Sequence, residues 1–236
     1  MQLFYNPTIE SSTQHFVFSK EESRHIVKVL RKKEGDLLKI TNGKGGLFEV
    51  EITIASPNKC KAQLVKSDTY DAPQLQIHLA VAPTKMNERY EWFLEKATEI
   101  GVTSVTPIFC EHSERKVVKV ERMKRIVESA AKQSLRYHFP VLKDPMSFKD
   151  FVTMHQSGNT LIAHCEDEQK QSLKQYLQSS DEQSYILMIG PEGDFSPQEI
   201  EFALQNHYIP ISLGETRLRT ETAAVVATHS FVFSKQ

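Results

Sequence analysis

Two short stretches of the chain concentrate the residue types that can handle a small ligand. In YILMIGPEGDFSPQEIEFAL an apolar strand runs into Gly190-Pro191-Glu192-Gly193-Asp194, with Ile189 as its last apolar residue. A helix then opens with Ser196 as N-cap, Pro197 at the first helical position and Glu199 closing a capping box. Glycines here let the backbone come close to a ligand at the carboxyl end of a strand, where open α/β sheets bind small molecules. In ISLGETRLRTETAAVVATHSFVF a strand again ends at a glycine, Gly214, and a loop carrying Arg217 and Arg219 leads into a helix headed by Thr220 or Thr222. Two arginines beside Glu221 at a helix N-terminus make a polar cluster facing the same edge. Singly, the first stretch also fits an ordinary tight turn and the second a solvated, salt-bridged one. Two in succession at strand ends favour a ligand edge.

Other chemistries leave no trace. No Gly-x-Gly-x-x-Gly follows a strand, so neither a dinucleotide fold nor a Rossmann-type methyltransferase is signalled. Lys44 sits in Asn-Gly-Lys-Gly-Gly, which lacks phosphate-loop spacing and reads as a hairpin turn. The nine histidines show no zinc pattern: His112 and His138 read as surface residues, and His78, within a strand, reads equally as packing. Cys60, Cys110 and Cys165 are odd in number, far apart and without ligand spacing, which implies free thiols in a reducing cytosol. No Ser-His-Asp or Cys-His arrangement stands out, and no metal is expected.

The elements that must position the two loops change character along the chain. Residues 1–70 read as short strands at 16–18, 36–41, 46–55 and 59–67, separated by Gly, Pro and Asn turns. One short helix, SKEESRHIVKVLR, lies among them with Ser19 as N-cap, and the composition suggests a small β-barrel. The boundary falls near Asp71-Ala72-Pro73. Beyond it strands are expected at 75–82, 104–109, 160–165, 185–190 and 208–214. Helices are expected at 87–101, 121–136, 169–177, 197–206 and 220–233, with Gly101 as a C-cap. Such alternation argues a mostly parallel sheet covered on both faces in a domain spanning 74–236.

Bulk composition agrees with a folded protein: 39% hydrophobic and 25% charged residues over 236 positions. No run approaches the roughly 18 to 20 apolar residues of a membrane-spanning helix, and MQLFYNPTIE has no basic leader before an apolar stretch, so no membrane association or secretion signal is expected. The net charge of −1 is unevenly spread. Residues 1–70 hold 11 Lys/Arg against 8 Asp/Glu and 71–150 hold 13 against 11, whereas 151–236 hold 5 against 11. A polyanion would meet the first two thirds more readily.

GPEGDFSPQEIE followed by LGETRLRTETAA closely resembles the 16S ribosomal RNA uracil-N3 methyltransferases of the SPOUT superfamily. The likeness extends over the whole chain. Arg24-His25 with Val29-Leu30-Arg31 and Gly35 match the family's N-terminal motif. Lys85, the segment Lys96-Ala97-Thr98-Glu99-Ile100-Gly101, Ser113-Glu114-Arg115 and Gln133-Ser134-x-Arg136 match its middle motifs.

The resemblance implies a PUA-like RNA-binding β-barrel over 1–70 and a trefoil-knotted α/β methyltransferase domain over 74–236, acting as a homodimer through the knotted domain. It implies S-adenosylmethionine as cofactor, held by His164, Ile189, Gly190, Pro191, Glu192, Gly193, Leu213, Gly214 and Leu218. It places Arg219 and Glu221 at the transferred methyl, Glu221 as candidate general base and Arg219 as stabiliser of the uracilate. Arg24, Arg31, Lys85, Arg115 and Arg136 become RNA contacts, and the 30S subunit with its 16S rRNA the partner. Two departures stand out: Asp194 occupies a position where the family has glycine, and Thr216-Arg217 replaces an Arg-aliphatic pair. A ribose 2′-O-methyltransferase of the same superfamily and a non-catalytic RNA-binding factor are the competing readings.

Overall fold

The computed structural model describes residues 2–156, 158–166 and 170–235. Two compact units emerge, one of residues 1–73 with 131–139, the other of 74–130 with 140–236.

In the first unit five strands form one sheet in the order β1-β3-β4-β5-β2. These are β1 (Leu3–Tyr5), β2 (His15–Val17), β3 (Leu37–Thr41), β4 (Gly46–Ile54) and β5 (Lys61–Thr69). All pairs are antiparallel except β1 with β3. Alternate residues of β3 and β4, Leu38 and Ile40, then Phe48, Val50 and Ile52, face one core with Phe4, Phe18 and Ile26. The β3–β4 turn is the expected hairpin, closed by Asn42 Oδ1, which accepts from the amides of Lys44 and Gly46 at 2.9 Å each. Helix α1 (Lys20–Arg24) starts at Ser19, whose hydroxyl accepts from the Glu22 amide, and continues as a π-helical turn over His25–Val29. It stops at Arg31, which has φ 56°, while the Lys32 amide folds back to the Ile26 carbonyl at 3.1 Å.

The sequence puts residues 131–139 in the second domain and runs a helix to 136; the structure does neither. Leu135 takes φ 58° and ends the helical path, and the strip beyond it is tied into the first unit. Gly45 donates to the Tyr137 carbonyl at 2.8 Å and Phe139 to the Gly43 carbonyl at 2.9 Å. Tyr5 stacks on Phe139, and Tyr70 lies against Tyr137, with ring centroids 4.6 Å apart in each pair.

The second unit is built on a parallel sheet in the order β11-β13-β10-β12-β6-β7-β8, with β9 also pairing β7. Its strands are β6 (Gln76–Val81), β7 (Ser104–Phe109), β8 (Val141–Leu142), β9 (Met146–Ser147), β10 (Asn159–Ala163), β11 (Gln171–Ser172), β12 (Ser184–Ile189) and β13 (Ile209–Ser212). Helices α2 (Asn87–Ile100), α3 (Val120–Gln133), α4 (Phe148–Met154), α5 (Leu173–Ser179), α6 (Pro197–Gln205) and α7 (Thr220–Ser234) accompany them. Burial on both faces explains why β6 and β12 are mostly apolar, with His78 a buried polar exception in β6. Leu79, Leu187 and Ile211 join Phe93, Leu94, Ala224 and Phe231 in one core. Ala80, Ile162 and Met188 join Phe148, Phe151 and Ile200 in the other.

Four of these elements are absent from the sequence reading: β8, β9, β11 and α4. In addition, the helix expected over 169–177 begins only at Leu173, capped by Ser172, while residue 169 lies outside the described residues. Among the described residues no helix is long and apolar enough to cross a membrane.

Candidate functional site

Strand β10 lies between β12 and β13, so three neighbouring parallel strands release their loops at one edge. Between these loops is a cavity of about 690 Å³, within the size range of small-molecule sites. His164, Ile189, Gly190, Pro191, Glu192, Leu213, Gly214, Leu218 and Arg219 line it, together with Asp194, Thr220 and Lys170. Eight of the nine residues expected to hold the cofactor are therefore assembled from three separate parts of the chain.

Gly193 is the ninth, and it does not line the cavity. Its reason is packing: a Cβ there would stand 3.2 Å from the His112 Cβ. Gly214 is the opposite case, with φ 142° and nothing within 4 Å of where a Cβ would stand. The backbone there is bare toward open space, a cradle into which a ligand can settle.

The β12–α6 loop is held on every side. Thr220 donates its hydroxyl hydrogen to the Gly190 carbonyl at 3.0 Å, joining the head of α7 to the loop. The Lys85 amide donates to Glu192 Oε1 at 3.0 Å. His112 Nδ1 sits 3.1 Å from both the Gly193 and Asp194 carbonyls, so this nitrogen carries the hydrogen. Asp194 accepts from the Cys165 and Phe195 amides at 2.6 and 2.9 Å. Ser196, Pro197 and Glu199 form the expected capped start of α6, and Glu199 Oε1 also accepts from the Glu111 amide at 2.9 Å. Across the cavity, the Lys170 ammonium donates to the His164 and Glu166 carbonyls at 2.9 and 2.6 Å.

Arg219 is the N-cap residue of α7, exposed and on the cavity wall. Glu221 is placed differently from the expectation that it faces the transferred methyl. It is buried behind the wall, with Oε1 3.8 Å from Arg89 Nε and Oε2 without a hydrogen-bond partner. An α-helix turns about 100° per residue, so Thr220 and Ala223 can face the cavity while Glu221 does not.

The five expected RNA contacts fall into two groups. Arg24 and Arg31 are exposed in the first unit, where Arg136 is half-buried, its guanidinium pKa pulled down by burial. Lys85 and Arg115 belong to the second unit. Arg115 donates to the Thr84 and Lys85 carbonyls at 3.3 and 2.7 Å, and Lys85 Nζ pairs with Glu114 at 2.8 Å. They thus brace the segment whose backbone meets Glu192. His78 is a core residue: burial, with Lys143 and His155 adding to it, holds its pKa down to about 3, and its Nε2 meets the Thr106 hydroxyl at 2.7 Å.

His112, Asp194, Thr220 and Lys170 are the site residues to which sequence reasoning assigns no part in the site. Three of the four act on backbone carbonyls, contacts that no residue spacing announces. Among the described residues no group of three or more His, Cys, Asp or Glu side chains converges.

A parallel α/β sheet with a small-molecule-sized cavity at its loop edge, preceded by a small strand-rich unit, defines a two-part α/β architecture, and comparison with known proteins identifies its class. The RNA methyltransferase domain model matches residues 71–232, and the RNA methyltransferase PUA domain model matches residues 18–65. A ribosomal RNA small subunit methyltransferase E of Buchnera aphidicola is 34% identical over 222 residues, 90% of this chain and 85% of its own. The crystal structure of a probable rRNA-methyltransferase from Porphyromonas gingivalis matches at 40% identity and TM-score 0.88, covering 97% of this chain and 95% of that one. The ribosomal RNA small subunit methyltransferase E of Neisseria gonorrhoeae, crystallised bound to S-adenosyl methionine, matches at 27% identity and TM-score 0.84, covering 97% and 95%. The chain belongs to the RNA methyltransferase family of the ribosomal RNA small subunit methyltransferase E proteins.

Proposed function

We propose that this chain methylates N3 of a uracil in 16S ribosomal RNA of the small subunit, with S-adenosylmethionine as methyl donor. The observation that carries the reading is the cavity at three adjacent strand ends, with the bare backbone of Gly214 on one wall and Arg219 at the rim. The lining suits an adenosine: Ile189, Leu213 and Leu218 give apolar contact, and main-chain groups of the glycine loops offer hydrogen bonds. Bound there, the cofactor supplies a methyl group already activated on a sulfonium.

The protein's own task is to bring the base into line and manage one proton. The uracil must leave its stack to be reached, and positioning supplies much of the rate. Arg219, exposed at the rim, meets the negative charge that develops on the uracil as N3 loses its proton. Glu221 is the proton acceptor in this reading, supported by its buried, unpartnered Oε2 one residue from the cavity-lining Thr220. Its place behind the wall favours a second role, anchoring α7 against Arg89.

The decisive experiment is single-turnover methylation of 30S subunits from a strain lacking this activity, with mass analysis of the modified nucleoside. A methyl on the base supports the proposal; a methyl on the ribose sinks it in favour of 2′-O transfer. Glu221→Gln is expected to slow the step by ~10²-fold and to recover partly at higher pH, where uracil ionises without help. A slow variant without recovery assigns Glu221 to anchoring, while Arg219→Ala slows the reaction at every pH.

The same reading gives the chain a cytoplasmic site of action, a trefoil knot in the 74–236 domain and a homodimer built through that domain. The partly exposed apolar residues of α7, with Phe233 70% exposed, supply a face for the second copy. Sedimentation at micromolar concentration distinguishes dimer from monomer.

A further inference from the structure

We infer that Asp194 is a positioning residue that clamps together two walls of the cofactor cavity, a role resting on the cofactor reading above. Its backbone has φ 63°, a left-handed conformation that glycine adopts freely and aspartate tolerates better than most residues. In this conformation the carboxylate bridges its own loop and the neighbouring one. One oxygen accepts from the following amide, Phe195, at 2.9 Å. The other crosses to the neighbouring loop and accepts from the Cys165 amide at 2.6 Å.

Cys165 lies just past the end of β10 at Ala163, where the sheet ladder no longer supplies an acceptor. Without Asp194 that amide would turn to water, and the segment around it would keep the Lys170 bonds to the His164 and Glu166 carbonyls but lose its tie to the β12–α6 loop. Both Asp194 and Cys165 line the cavity, so the bond fixes the distance between its two walls. A glycine at 194 would satisfy the backbone and supply no bond at all. Asp194 therefore exchanges backbone ease for a cross-loop tie, while His112, bonded to the Asp194 carbonyl, holds the residue from the far side.

The test compares wild type, Asp194→Gly and Asp194→Asn in two measurements: S-adenosylmethionine affinity by calorimetry, and amide hydrogen exchange at Cys165 in the cofactor-free protein. Asp194→Gly is expected to weaken the cofactor about ten-fold, the scale of one lost hydrogen bond to a charged group, and to expose the Cys165 amide to rapid exchange. Asp194→Asn retains an accepting oxygen and tolerates the backbone, so it should fall between. RNA affinity measured without cofactor should stay at the wild-type value in both variants. Unchanged cofactor affinity in Asp194→Gly overturns the inference, and so does unchanged exchange at Cys165. Wild-type protein that fails to bind S-adenosylmethionine at all would instead overturn the cofactor reading itself, a result distinct from either.

Discussion

Arg31 and Asp194 share a backbone conformation and differ in what their side chains do with it. Each is a non-glycine residue in the left-handed region, one ending a helix in the first unit, the other turning a loop in the second. Asp194 recovers the cost within its own domain through two backbone amides. Arg31 is exposed, and among the described residues its guanidinium has no hydrogen bond or ion pair. A strained residue whose side chain is engaged explains itself by stability. Arg31 closes its helix through the backbone, with the Lys32 amide bonded back to the Ile26 carbonyl, and so leaves its side chain available to a partner. The RNA expected at Arg31 is a partner of the right charge.

Substitution can separate the two components, conformation and contact, at each position. Asp194→Ala removes both bonds and puts a residue less tolerant of the left-handed conformation in place, so it carries the largest expected effect, about 2 kcal/mol of lost stability. Urea denaturation measures it, and a loss below about 0.5 kcal/mol would mean the bonds merely replace water. Next in size is Arg31→Gly. Relief of the left-handed conformation, about 1–2 kcal/mol, outweighs the added freedom of glycine in the unfolded chain, about 0.5–1 kcal/mol. The variant should gain on the order of 0.5 kcal/mol in the same assay while losing RNA affinity. A less stable Arg31→Gly protein would show that the arginine stem packs usefully on the barrel surface, and the contrast with Asp194 would collapse.

How far these features could be read from the chain differs with the range of the interaction behind them. The capped start of α6 was legible because Ser196, Pro197 and Glu199 act on one another within three residues. Strands β6 and β12 were legible because burial on both faces makes them mostly apolar. Two-residue strands such as β8, β9 and β11 carry no period to detect, and the strip 131–139 joins the first unit through bonds to residues about 70 to 130 positions away. The buried placement of Glu221 was not legible because α7 is apolar nearly all round, so its sequence does not say which side faces the cavity. His112 read as a surface residue because exposure was legible and its carbonyl partners 81 and 82 positions on were not. The left-handed turn at Asp194 was marked only by its departure from the family's glycine; the tie to Cys165 needed the fold.

The smallest expected effect is the most direct on the idle side chain. Arg31→Ala keeps the backbone cost and removes the side chain beyond Cβ, whose guanidinium has no hydrogen bond or ion pair among the described residues. Stability should therefore stay within about 0.5 kcal/mol of wild type, the usual range for a surface substitution. RNA binding should respond instead. Each phosphate released from contact lowers the slope of log affinity against log salt by about 0.7 on single strands and 0.9 on duplexes. Titrations at several salt concentrations are therefore expected to give a slope shallower by close to one, and Arg31→Lys should restore most of it, since a point charge suffices for counterion release. Cofactor affinity should not move, because the cavity lies wholly in the second unit. An unaltered slope in Arg31→Ala would leave Arg31 a solvated charge on a strained helix end. The outward reading of its strain would then fail, while the inward reading at Asp194, resting on bonds of its own, would stand.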